Sequence, residues 1–428
     1  MKVSQLKKRK SKLVFQIDGQ TLLEENRKSF SLSVENRDFK FYQKKQPTIS
    51  FVGIVIRPDG EVLVSLPKHY YNPERDSIGE HDAELLFRVL LKQQVKEGYK
   101  YSADSDDFES SYPFQAFYNI LKYYKQFGLY RESYEITKPG YQGKISWKDT
   151  IRKSSNIINR GNLIFVPLHI KKTLDRDVFL SECMSFALTY TIDTFPFLIK
   201  EKVSLTRSEK FDFWNNKTYV IRRLRKIQGE MFKDIHKKLI RDLINFYSEL
   251  DNSGSIFIKH YNFELVWESM VESYLRKHFV GINRSEDGIS NVGDSKEGLV
   301  FITNGDKKLK FQKTTEHVDS ARKFRLQPDH YATETDSKAR SIQYIFDAKY
   351  YNEITDLNYK QVSYHAFLRN QADITHSALI APTEPESELK GSRKHLEMNP
   401  DYYNNLEEKI IIWEHYLPIK EVMEDYLN

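Results

Sequence analysis

The stretch LQPDHYATETDSKARSIQYIFDAKYY, Leu326 to Tyr351, constrains the fold of this chain more than any other segment. Asp329 follows a proline at the end of one apolar patch, and Asp347 and Lys349 close a second, with a polar, charged insert between the two. Successive side chains of a strand point to opposite faces, so Asp347 and Lys349 share a face and Ala348 takes the other. Asp329, at the tip of the preceding strand, can lie beside Asp347 in a hairpin-like arrangement. Strand tips are where a metal ion and a phosphodiester can reach ionisable groups. Two adjacent carboxylates form a hard-oxygen site suited to Mg²⁺, with Mn²⁺ expected to substitute. Lys349 stands where an ammonium orients or helps deprotonate a water and offsets charge on phosphorus.

The elements around this stretch read as one layer. A chain boundary is expected near Asp251-Asn252-Ser253-Gly254. After it come a helix in NFELVWESMVESYLRKHF, a polar Gly-rich loop, a strand GLVFI and a lysine-rich turn. The PDHY patch, the strand IQYIFDAKYY, the helix LNYKQVSYHAFLRNQ and the strand HSALIAP follow. This outlines an α/β layer with polar residues at its strand ends. In the first helix Glu264, Glu268 and Glu272 form one stripe. Phe263, Val266, Trp267, Met270, Val271 and Tyr274 form the apolar arc. Glu264 falls at the margin of that arc, Glu268 just beyond it, and Glu272 farther toward solvent. A carboxylate at the edge of a buried face is costly unless a cation, metal or hydrogen bond satisfies it, so Glu268 or Glu264 is the candidate third acid.

The first 250 residues read as mixed α and β without a repeat. FVGIVIRPDGEVLVSLPKHYY, Phe51 to Tyr71, is a hairpin around the turn Pro58-Asp59-Gly60. A helix in AELLFRVLLKQQVKEG should end at a Gly98 cap, and FQAFYNILKYYKQFGLY is a second helical pattern. RESYEITKPGYQGKISWKDTIRKS is expected as turn or loop. Thr218 to Leu250 is a strongly basic amphipathic helical stretch, either a solvated connecting helix or a contact for a DNA backbone. The expected segments are 1–215, a domain for partner docking or DNA contact; 216–250, a basic helical connector; and 251–428, the domain carrying the chemistry.

Composition removes several alternatives. The single cysteine, Cys183, rules out an intrachain disulfide and a cysteine zinc site, and fits a reducing cytoplasm. The basic start MKVSQLKKRK is not followed by an uninterrupted apolar segment, so no signal peptide is expected. CMSFALTYTIDTFPFLI is broken by Asp193 and Pro196 short of the roughly 18 apolar residues of a membrane span. A net charge of +6 fits a polyanionic partner only if it is clustered. The 27 Tyr and 27 Phe fit amphipathic core edges better than base stacking. The 12 histidines include no H-E-x-x-H. His330, next to Asp329, should face the opposite side of its strand and pack, and His365 should lie at the surface or core edge. No G-x-S-x-G elbow is present.

The arrangement Pro328-Asp329 with Asp347-Ala348-Lys349 resembles the PD-(D/E)XK nuclease motif. The run YIFDAKYY is similar to that of McrC-type nuclease subunits and, more narrowly, of the LlaJI restriction endonuclease family, and FVGIVIRPDGEVLVSLPKHY resembles the N-terminal part of that family. The resemblance implies a restriction-endonuclease-like fold for 251–428, with Asp329 and Asp347 as metal ligands and Lys349 as the catalytic lysine. It makes Glu268 the helix acid and a third metal ligand, with Glu264 in reserve. Gln361 and Tyr364 resemble the supporting Gln and Tyr after the lysine, at a spacing one residue shorter than usual. It further implies a Mg²⁺-dependent endonuclease subunit of a restriction-modification system acting on double-stranded DNA. Its partner would be a separate McrB-like AAA+ GTPase, since this chain has no G-x-x-x-x-G-K-[ST] loop. A dimer of nuclease domains, a non-catalytic DNA-binding or assembly subunit on the same fold, and an RNA- or repair-directed nuclease stay open at this point.

Overall fold

The computed structural model describes residues 12–428 apart from 23, 32, 42–45, 98–106, 206–210, 251–254, 284–296, 303–308, 315, 318–324 and 400–409. The expected Gly98 cap, the Asp251–Gly254 boundary, most of the Gly-rich loop and the lysine-rich turn lie outside the described residues. The fold is mixed α/β and divides into two compact units. One joins Met1–Tyr112 to Ser253–Asn428, and the other is Pro113–Asn252. This differs from the expected segments 1–215, 216–250 and 251–428.

The cause is the strand Ile256–His260. It pairs antiparallel with Val52–Ile56 on one side and Phe108–Ser110 on the other, inside a five-stranded sheet that continues through Val62–Leu66 to Leu13–Ile17. The hairpin expected in this region forms between Val52–Ile56 and Val62–Leu66, with Gly60 at φ 92° in its turn. That left-handed conformation is open to glycine without steric cost. Leu22, Phe30, Ile49, Phe51, Val55 and Leu63 make the core on this sheet.

The second sheet of this unit runs in the order His330–Thr335, Ser341–Ala348, Ile374–Thr383, Ile411–Pro418, Gly391–Glu397. The inner pairings are parallel and both edge pairings are antiparallel. The polar insert ATET of the opening stretch is therefore an edge strand, whose half-exposed position tolerates polar side chains. Along Ser341–Ala348, Ile345 packs against Tyr364 and Leu368 of the Tyr359–Leu368 helix. Tyr344 and Phe346 point the other way, onto Phe279, with Phe346 also against Phe311. The Phe263–His278 helix buries Phe263, Val266, Trp267, Met270, Val271 and Leu275, each contributing about 2 kcal/mol of transfer free energy. His365 is a core residue, with Nδ1 2.9 Å from the Ser377 hydroxyl, where the surface or core edge was expected.

In the second unit the segment expected as loop forms a strand, Glu132–Pro139, and a short helix, Trp147–Lys153. The strand is mostly exposed, so no apolar alternation marked it, and its order comes from antiparallel pairing with His169–Arg176. The basic stretch is two helices, Lys217–Glu230 and Asp234–Glu249, which bury Val220, Leu224, Leu239, Ile240, Leu243, Phe246 and Tyr247. They are parts of this unit's core, not a connector. No helix among the described residues is long and apolar enough to cross a membrane.

Candidate active site

The antiparallel register sets His330 opposite Phe346, and its continuation by one residue sets Asp329 opposite Asp347. Asp329 lies in the bend before its strand, and its Oδ2 accepts the Ala348 N–H at 3.1 Å. Asp347 and Ala348 end a strand that runs parallel to Ile374–Thr383, with Ala348 opposite Ile380. The Ile380 carbonyl accepts the Lys349 N–H at 2.8 Å and the Trp267 indole N–H at 3.2 Å. One acceptor thus fixes the exit of the strand and the helix beside it.

Asp347 is fully buried, and the Lys349 ammonium lies against its Oδ2, on the shared face that strand alternation requires. A second cation, Lys360, places Nζ 3.3 Å from Asp347 Oδ1. Sequence reasoning missed Lys360. It stands in the first turn of the Tyr359–Leu368 helix, directly before Gln361, and its side chain is 52% exposed.

The two carboxyls are electrostatically unequal. Burial, then the charge of Asp347, the hydrogen bond to it and the charge of Glu268 push Asp329 up to about 7, against the opposing effect of Lys360. Burial also acts to raise Asp347. It is outweighed by the Lys349 charge, by hydrogen bonds from Asp329 and Lys349 and by Lys360, which together hold Asp347 below the usual carboxylate range. A shared proton therefore resides on Asp329, and Asp347 is the anion. Lys360 is raised; burial works against its charge, and the Asp347 and Asp329 carboxylates overcome that effect.

The helix acids separate clearly. Glu264 is exposed. Glu268 is 18% exposed and pairs with Lys313 at 2.6 Å. Glu272, expected toward solvent, is half-buried and pairs with Arg276 at 2.6 Å. Glu268, Glu272, Lys313 and the buried His330 line a cleft of about 190 Å³; Asp347 and Lys349 are not among its lining residues.

Gln361 and Tyr364 act on the scaffold of the site. The Gln361 side-chain amide donates to the Ile345 carbonyl at 2.6 Å, and the Asn358 side chain caps the helix by accepting the Gln361 N–H at 2.9 Å. The Tyr364 hydroxyl donates to the Gln327 carbonyl at 2.8 Å, next to Pro328-Asp329. Beyond Lys349, the buried Tyr350 hydroxyl accepts the Lys68 N–H at 2.7 Å and bonds the Asp18 carboxyl. His69 Nε2 lies 3.1 Å from the Tyr351 carbonyl.

Among the described residues, no three or more His, Cys, Asp or Glu side chains are grouped to hold a metal ion. The donor set at the strand end is the Asp329–Asp347 pair, and Glu268 is engaged by Lys313 instead. Two carboxyls in contact and sharing one proton fit a divalent cation, which relieves the same repulsion as the proton.

No family model matches this chain, and no curated protein does. Among solved structures, it is similar to a chain of a refined half-complex from a tetradecameric assembly of Thermococcus gammatolerans McrB AAA+ hexamers with bound McrC. The identity is 11% over 97% of this chain and 98% of that chain, with a TM-score of 0.37.

Proposed function

We propose that the chain is a Mg²⁺-dependent DNA endonuclease of the PD-(D/E)XK type, hydrolysing phosphodiester bonds as the nuclease subunit of a restriction system. The observation that carries the proposal is the strand-end constellation: Asp329 opposite Asp347, with Lys349 on the same face and against the Asp347 carboxylate. The restriction setting, the LlaJI and McrC likeness and a separate AAA+ GTPase partner rest on the sequence resemblance. So do the roles of Glu268 as helix acid and of Gln361 as a supporting residue.

Asp329 and Asp347 are the residues that would hold the metal, which when bound supplies positive charge to the phosphoryl oxygens and polarises the attacking water. Asp347 is kept ionised by its two lysines and needs no deprotonation to act as a ligand. Asp329 gives up its shared proton near neutrality. Lys349, anchored through its backbone on Ile380, presents an ammonium at a fixed distance from Asp347, where it orients the water and offsets charge developing on phosphorus. Glu268 and Lys313 neutralise each other, and the Glu268 charge still acts on Asp329.

Cleavage of supercoiled plasmid by the purified chain tests the reading, with and without Mg²⁺ and with and without an AAA+ GTPase partner and GTP. Metal-dependent cutting should fall about a thousandfold in Lys349→Ala and in Asp347→Ala, with folding retained. Full cleavage by either variant would sink the proposal.

A further inference from the structure

Charge divides unevenly between the two units. Pro113–Asn252 holds 25 of the 66 lysines and arginines but only 15 of the 60 acidic residues, a surplus of ten positive charges, and the rest of the chain is net negative by four. The mildly basic balance of the whole chain conceals one strongly basic unit and one acidic one.

Within the basic unit, half of the ten cations from Arg131 to Arg176 are already spent on neighbours. Arg131 pairs with Asp177, Lys171 with Glu135, Arg176 with Glu132, and Arg152 and Lys153 with Asp149. The two helices Lys217–Glu230 and Asp234–Glu249 differ. Arg222, Arg225 and Lys226 lie opposite the buried stripe of Val220 and Leu224, and Lys238 and Arg241 lie opposite that of Leu239, Ile240, Leu243, Phe246 and Tyr247. All five cations are exposed, and none has an ion-pair partner among the described residues. Arg223 is excluded because its guanidinium lies 4.0 Å over the Phe179 ring and donates to Tyr219. The exposed acids Glu230 and Asp234 sit at the turn joining the helices, so the cations form stripes along the helix bodies away from it.

Like charges at i, i+3 and i+4 repel on an isolated helix, by a few tenths of a kcal/mol per pair. Arg222, Arg225 and Lys226 accept that cost without compensating acids. We infer that the outer faces of these two helices are a sequence-independent binding surface for the phosphate backbone of duplex DNA, built from residues other than those of the cleavage site. The charge partition stands by itself; the choice of duplex DNA as the polyanion rests on the nuclease reading. Backbone neutralisation supplies affinity and register without reading bases, which is what a surface of spaced, flexible cations without planar polar partners provides.

The test measures binding of the full chain to a fluorescent duplex of about 30 base pairs in EDTA, across a salt series. Cutting is thereby absent, and failure of the nuclease reading is scored separately by plasmid cleavage. The fivefold variant Arg222→Gln, Arg225→Gln, Lys226→Gln, Lys238→Gln, Arg241→Gln should bind at least tenfold more weakly at low salt. The slope of log K against log salt should shrink by about 0.9 for each lost contact, so by about 4.5 if all five contacts are lost. Replacing the three arginines by lysine should retain binding, and Lys390→Gln, which removes an exposed cation of the other unit, should bind as the parent does. If the fivefold variant does not fold, acetylation footprinting of the unaltered chain decides: duplex DNA should protect Lys226 and Lys238. An unchanged slope in the variant, or no protection of either lysine, overturns the inference. Displacement of the duplex by polyglutamate at equal charge concentration also overturns it, in favour of an acidic protein partner.

Discussion

Both five-stranded sheets of the first unit bury a lysine against an aspartate, and the two pairs are built for different ends. In the N-terminal sheet Lys259 lies 2.8 Å from Asp38, with side chains 2% and 0% exposed. The Asp38 carboxylate also takes the Glu35 N–H at 2.8 Å and the Tyr261 hydroxyl at 2.8 Å, and the ammonium sits over the Phe257 and Phe51 rings. That pair is closed in the sense that neither charged side chain meets solvent, and the Tyr261 hydroxyl links it to the half-buried Glu109 at 2.9 Å. In the C-terminal sheet Asp347 is equally buried, but a second carboxyl touches it, and one of its two lysines is half in solvent. A buried ion pair alone therefore says little about chemistry. The mark of a site is an acid pair that must share a proton beside a cation that solvent reaches.

This contrast breaks most sharply on lysine removal. Lys349→Ala should abolish plasmid cleavage, by about a thousandfold, and leave the urea midpoint near that of the parent, because Lys360 still faces Asp347. Lys259→Ala leaves a buried, uncompensated carboxylate and should lose about 3–5 kcal/mol in urea unfolding. If Lys349→Ala proves the more destabilising of the two, the distinction between a closed and an open pair fails.

Acid sharpens the description of the N-terminal sheet. His260 ends the strand Ile256–His260 with its ring buried and its Nδ1 accepting the Asn262 N–H, and burial holds it down to about 4. Its folded pKa lies below the unfolded value near 6.5, so its neutral form's stability is fully present above pH 6.5. That stability is lost as pH falls toward 4, by about 3 kcal/mol for such a shift. His415, buried and held down to about 3, adds to the fall. Asp329, held up to about 7, gains stability over the same range, so the prediction is a difference: a thermal-melt series from pH 7 to 4 should show His260→Gln gaining on the parent as the pH falls. An equal pH dependence in parent and variant would contradict the burial of the His260 ring.

The helix acids give the smallest effect. Glu268→Gln frees Lys313 and removes a charge that acts on Asp329, so cleavage should fall on the order of tenfold, as for groups that orient a ligand. Glu264→Gln should change nothing measurable in the same assay. Equal losses in the two variants would return Glu264 to candidacy.

How much of this was legible in the sequence follows from the range of the interactions. Asp347 and Lys349 share a face because of local strand geometry, and Asp329 comes opposite Asp347 because the hairpin register is local too. The apolar arc of the Phe263–His278 helix was readable from its period, but the ordering of its acids was not: Glu264, placed at the margin of the arc, is exposed, and Glu272, placed toward solvent, is half-buried in its pair with Arg276. Lys360 was not readable, since only the packing of its helix on Ile345 brings it to Asp347. The strand Ile256–His260 escaped because its partners lie some two hundred residues upstream, where no periodicity within 251–428 points. Glu132–Pro139 escaped because an exposed strand carries no apolar alternation.

The pairing of Ile256–His260 with Phe108–Ser110 also bears on the handling of the chain. The polypeptide leaves the first unit from one strand and re-enters it on the strand alongside, where Ser111 donates its N–H to the Phe257 carbonyl at 3.0 Å. Pro113–Asn252 is thus an insertion hung between two neighbouring strands, and a short turn suffices to bridge the gap it would leave. Removing such a body leaves the strands of the first unit, and the acid pair at Asp329 and Asp347, with their own pairings intact. A protein cut at residue 250 to isolate the C-terminal half, by contrast, would carry away an interior strand of the N-terminal sheet and leave both pieces incomplete.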